Sequence, residues 1–124
     1  MNRDDVNTIC AEFPGATCED PWGGGHDAWK IGGKIFASIG AMGEGVSVKT
    51  ESIDQAQFLI DQGRARKAPY FHRSWVLVPF GSDVEAEEMQ DRLTTSYLLV
   101  RGTLTRKVQA SLPPFDESPS PPSG

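Results

Sequence analysis

Apolar residues at the start of the chain recur at helical spacing. Val6, Ile9, Cys10 and Phe13 follow Asp4 and Asp5, two anions placed where a helix dipole favours them, and Pro14-Gly15 ends the pattern. A short amphipathic helix is predicted there. The period then shortens. Thr17 to Trp22 predicts a first strand, and beyond Gly23-Gly24-Gly25 the segments Asp27 to Ile31 and Lys34 to Ile39 flank Gly32-Gly33. A two-glycine link between apolar segments predicts a hairpin, because the tight turns that join twisted strands need positive φ. Val46 to Thr50 alternates as a further strand, after which Ser52 is placed to cap a helix carrying Ile53, Ala56, Leu59 and Ile60 as far as Gly63. Trp75 to Val78 has the β-branched and aromatic character of a strand, stopped by Pro79 and Gly81. Ser82 and Glu85 have capping-box spacing, and Met89, Leu93, Ser96-Tyr97, Val100 and Leu104 share one face of a long helix that Gly102 bends or ends. Arg106 to Leu112 predicts a last short helix.

From Pro113 onward the pattern is lost. Five of the nine prolines fall in the last twelve residues, among serines, so residues 113–124 are expected to be a disordered tail behind a single domain spanning 1–112. A chain of 124 residues with three Trp, six Phe and two Tyr suffices for one core without disulfides or metal. Its charged first residues do not resemble a secretion signal and no apolar run approaches membrane-spanning length, so a cytoplasmic protein with no membrane partner is expected. Cys10 and Cys18 fit small buried apolar positions better than a bridge in that compartment.

The net charge of -5 argues against wholesale attraction to nucleic acid, but it is unevenly distributed. Residues 1–62 hold four Lys/Arg against ten Asp/Glu and residues 83–124 hold four against seven, whereas residues 63–82 hold Arg64, Arg66, Lys67 and Arg73 and no acid. A basic island thus stands in an acidic chain.

Several short motifs resemble the MmcQ/YjbR family. They are Asp20-Pro21-Trp22-Gly23, the hairpin Trp29-Lys30-Ile31-Gly32-Gly33-Lys34-Ile35-Phe36-Ala37, the strand Val46-Ser47-Val48-Lys49-Thr50, then Ala68-Pro69-Tyr70 with Arg73-Ser74-Trp75-Val76, and Ser96-Tyr97 with Leu99-Val100. The resemblance spans residues 4 to about 112 and implies an α+β, CyaY-like fold: an antiparallel sheet of about five strands with N-terminal, middle and long C-terminal helices packed on it. It also implies the double-wing DNA-binding arrangement described for that family. The chain departs from the pattern at His72-Arg73-Ser74-Trp75, where many relatives have Asn-Lys-x-His-Trp or Gly-Trp.

Two sets of site residues follow. For DNA, Arg64, Arg66, Lys67 and Arg73 supply cations that displace phosphate counterions, His72 adds charge at lower pH, and Lys30 and Lys34 flank the hairpin turn as on a wing. The bland alternative is a solvated connection over packed aromatics, with lysines that discourage edge pairing. For a small-molecule or protein ligand, Trp22, Trp29, Tyr70 and Trp75 are candidates to line a sheet face. No metal and no cofactor is expected: Cys10, Cys18, His26 and His72 lack ligand spacing, and the acidic clusters read as helix-start and solvated charge. Gly40 to Gly45 lacks the Lys-Ser/Thr of a phosphate loop and reads as a strand connection. With no GxSxG, P-loop, GxGxxG or HExxH, a non-enzymatic binding protein is expected.

Overall fold

Asn2 and Asp5 start the fold by capping each other. The Asn2 side chain accepts the Asp5 amide at 2.9 Å while the Asp5 carboxylate accepts the Asn2 amide at 3.0 Å, opening helix α1 (Arg3–Ala11). The chain continues through β1 (Thr17–Glu19), β2 (Asp27–Ile31), β3 (Lys34–Ile39), β4 (Gly45–Lys49), α2 (Ile53–Asp61), β5 (Arg66–Lys67), β6 (Trp75–Pro79), α3 (Ala86–Gly102) and α4 (Arg106–Ser111). The computed structural model describes residues 1–20, 23–81 and 85–115.

All strands join one antiparallel sheet in the order β1-β2-β3-β4-β6-β5, so this is an α+β fold. The sheet has six strands where about five were expected. The addition is β5, two exposed residues inside the basic island, which have no alternating pattern to betray them and form a strand because they pair with the edge of β6. The hairpin lies where Gly32-Gly33 placed it, both glycines having positive φ (57° and 85°). Its tip rests on the helical side, because a Cβ on Gly32 would lie 2.6 Å from Leu104. Ser82 of the expected capping box is outside the described residues, and Glu85 caps α3 without a side-chain hydrogen bond.

Directly opposed residues of an antiparallel pair point to the same face. Trp29, Ala37, Val48 and Val76 therefore form one row, and Ile39, Val46 and Val78 a second, on the face that α1 and α3 cover. Val6 and Cys10 of α1, and Met89, Leu93, Tyr97 and Val100 of α3, close this core. Phe13 stacks on Tyr97 at 4.6 Å and Phe36 meets Tyr97 edge-on at 5.3 Å. Tyr97 Oη donates to the Pro14 carbonyl at 2.6 Å and accepts from Arg101 at 2.7 Å. Arg101 also donates to the Pro113 carbonyl, and Phe115 packs 5.3 Å from Tyr97, so ordered packing continues past Leu112; residues 116–124 of the Pro-rich stretch lie outside the described residues.

Burial pushes the Cys10 thiol up to about 12, with the neighbouring Cys18 adding to the shift, so Cys10 is an apolar core residue. Cys18 differs from the expectation. It is exposed at the sheet edge, and both cysteines are free thiols.

Candidate functional site

Among the described residues, no helix covers the opposite face of the sheet. Across it runs a single row of opposed residues, Glu19, Ala28, Ser38, Ser47, Leu77 and Arg66, one from each strand. The middle of this row is small. Larger structures stand on either side of it: the loop from Gly40 to Gly45, and the turn Pro69, Tyr70 and Phe71. Together they bound a groove of about 880 Å³ with Ser38, Ser47 and Leu77 as its floor.

Within the described residues neither the Ser38 nor the Ser47 hydroxyl makes a hydrogen bond, and neither is among the buried polar atoms cut off from solvent; both are presented to the groove. Met42 on one lip is 85% exposed and Tyr70 on the other is fully exposed. Tyr70 is the one non-glycine among the described residues with positive φ, at 69°. An L-residue in this region costs roughly 1–2 kcal/mol, and no packing of the ring offsets that cost, which makes this strain a pointer to function. Phe71 beneath it stacks on Trp75 with centroids 4.5 Å apart, which fixes that wall to β6.

The other wall is anchored from α1. Arg3 donates to Asp27 at 2.8 Å, to the Gly40 carbonyl at 3.1 Å and to the Gly25 carbonyl, so one guanidinium joins both loops at that end of the groove. Partial burial would raise the Asp27 carboxyl, but hydrogen bonds from Asn7 and Arg3 and the Arg3 charge outweigh it and hold the group below its ordinary value. A folded-state value below the unfolded one of about 3.9 gives stabilisation that is complete above that pH and disappears as pH falls through the folded value. The melting-temperature gap between wild type and Asp27→Asn is therefore expected at pH 7 and should narrow below about pH 4. An unchanged gap down to pH 3 would contradict this account.

The expected site residues are dispersed. Arg64 is held by Glu88 of α3 in a two-pronged ion pair, Nε to Oε2 being 3.0 Å. Lys30 is paired with Glu19 at 3.2 Å. Lys34 is exposed beside the hairpin turn, three strand spacings or roughly 14 Å from β5. Arg66 and Lys67 lie on β5, where register turns Arg66 to the groove face and Lys67 to the helical one. Arg73 is exposed in the turn before β6. His72 Nδ1 accepts the Ser74 amide at 3.1 Å and lies 2.9 Å from its hydroxyl, so this nitrogen serves the turn.

Of the aromatic set, Tyr70 lines the groove and Trp75 backs it through Phe71. Trp29 is on the other face, buried, with its indole N–H donating to Asn7 at 2.8 Å, and Trp22 lies outside the described residues. Met42, Ser38, Ser47 and Leu77 were not anticipated. The available signal was two serines at outward-facing strand positions, which only the pairing of β3 with β4 makes adjacent.

An antiparallel sheet covered on one face and grooved on the other defines a two-layer α+β fold. A family model described as YjbR matches residues 11–99, and the chain belongs to the YjbR family. The crystal structure of Deinococcus radiodurans protein DR2400, with family-model domain DUF419, has the same fold: TM-score 0.80 at 21% identity, covering 94% of this chain and 93% of that one. Among curated proteins none matches this chain. No helix among the described residues is long and apolar enough to cross a membrane.

Proposed function

We propose that this YjbR-family chain is a non-enzymatic binding protein that takes a small, largely apolar molecule in the groove on its open sheet face. The groove itself carries this reading. Its volume of about 880 Å³ falls in the range of small-molecule sites, and its walls are apolar with two hydroxyls at the floor to orient a ligand. Exposed Met42 and Tyr70 face solvent at the lips of a concavity, where a ligand would cover them. Binding without chemistry fits the thiols. Burial raises the Cys10 thiol, and partial desolvation together with the neighbouring Asp27 carboxylate raises that of the exposed Cys18, so neither is an activated nucleophile at neutral pH.

The test is an NMR titration with 1-naphthalenemethanol, a neutral apolar probe, to about 1 mM, the affinity range of small unoptimised ligands. Amide shifts are expected at Ser38, Ser47 and Leu77. Ser47→Trp fills the floor from its open side and should weaken binding about tenfold or more with the circular dichroism spectrum retained. Failure of those amides to respond in wild type would remove the reading.

A second reading, DNA contact, is favoured by one observation: Arg66, Lys67 and Arg73 are exposed and form no ion pair among the described residues. Three phosphate contacts would give a slope of log affinity against log salt of roughly -3. Duplex DNA in the same titration distinguishes the readings, because it would shift residues of β5 and the turn at Arg73 and leave Ser38 unmoved.

A further inference from the structure

The surroundings of the groove are electrically polarised diagonally across the sheet. At the end where β4 begins stand Glu44 and His26, the latter 3.7 Å from Asp20. Toward the opposite corner the open face carries two cations, Arg66 in the row of the floor residues and Lys49 two residues further along β4. Lys49 is opposed to Trp75, and Arg66 is opposed to Leu77 on the far side of β6, so both stand just outside the groove lining, on either side of β6, whose Leu77 is part of the floor. Neither Lys49 nor Arg66 forms an ion pair among the described residues, unlike Lys30 and Arg64 on the same chain. Across two strand spacings and two residues of rise, their Cα atoms are roughly 12 Å apart, a gap that two long side chains can close on one bound group.

Resting on the groove reading, we infer that the groove's ligand is an apolar or aromatic carboxylate, its hydrocarbon part over Ser38, Ser47 and Leu77 and its anionic group toward Arg66 and Lys49. The same polarity sets the orientation. A carboxylate placed the other way would meet Glu44, and a cationic ligand would have to approach two cations that form no ion pair among the described residues. Ser47 lies between the two ends on β4, two residues from Lys49 and three from Glu44, so its hydroxyl meets the middle of such a ligand.

The experiment compares three probes that share one ring system, 1-naphthoate, 1-naphthalenemethanol and 1-naphthylmethylammonium, by NMR titration of the full chain at low ionic strength. Naphthoate is expected to bind about fivefold tighter than the alcohol and the ammonium compound more weakly than either, the scale of a partly exposed charge contact. Arg66→Gln should remove most of the naphthoate advantage, and Arg66→Gln with Lys49→Gln all of it, with alcohol binding unchanged. If naphthoate and the alcohol bind equally in wild type, or if the advantage survives the double variant, the anion inference is overturned while the groove reading stands. If none of the probes shifts Ser38, Ser47 or Leu77, the groove reading falls and this inference with it.

Discussion

Ser96→Ala is expected to lower stability by about 2–4 kcal/mol, because one hydroxyl completes two backbone hydrogen bonds that the sheet cannot make for itself. Ser96 Oγ accepts the Lys49 amide at 2.8 Å and donates to the Phe36 carbonyl at 2.6 Å. Between those residues the β3–β4 register stops at Ala37 opposite Val48, so the α3 side chain is inserted where the ladder ends. Ser96 is fully buried and water has no route to replace the hydroxyl. Alanine would leave an N–H and a C=O unpaired at the centre of the fold. Urea denaturation with an unchanged m-value would report the loss. A cost below about 1 kcal/mol would mean that the strands close the gap directly.

Gly45→Ala is expected to be of similar severity, about 3 kcal/mol or more, for a steric reason. A Cβ at Gly45 would lie 2.4 Å from the Val78 carbonyl oxygen and 2.8 Å from the Pro79 Cα, both backbone atoms, so β4 would have to move away from β6. The groove would open with it, since Gly45 and Leu77 both line it. Gly40→Ala in the same loop is the control. Nothing lies within 4 Å of its Cβ position and its φ is not positive, so a change within about 0.5 kcal/mol is expected. Equal thermal midpoints for the two variants would overturn the steric account.

These residues show how far the chain can be read without coordinates. The hairpin, α2 behind its Ser52 cap and the apolar stripe of α3 were legible, because each depends on contacts between residues close in sequence. Ser96-Tyr97 was legible as a motif, yet its meaning was not: Ser96 bridges β3 and β4, and Tyr97 reaches Pro14, more than eighty residues away. Trp29 and Trp75 look alike as strand aromatics, but register sends one under the helices and the other to the open face. Arg64 and Arg66, two residues apart in one basic island, have different settings because Glu88 of α3 meets only the first.

The order of elements apart from β5, the turn at Gly32-Gly33 and the acidic balance with its basic interruption were therefore determined by the sequence alone, through periodicity, backbone sterics and charge. The groove was decided by tertiary structure. Ser38 and Ser47 become neighbours only when β3 pairs with β4, Leu77 joins them only when β6 inserts beside β4, and Arg66 reaches that face only through the two-residue strand β5. Side-chain alternation within a strand is local, but which strands adjoin is set by long-range packing, and a site built across four strands has no signature in any one of them.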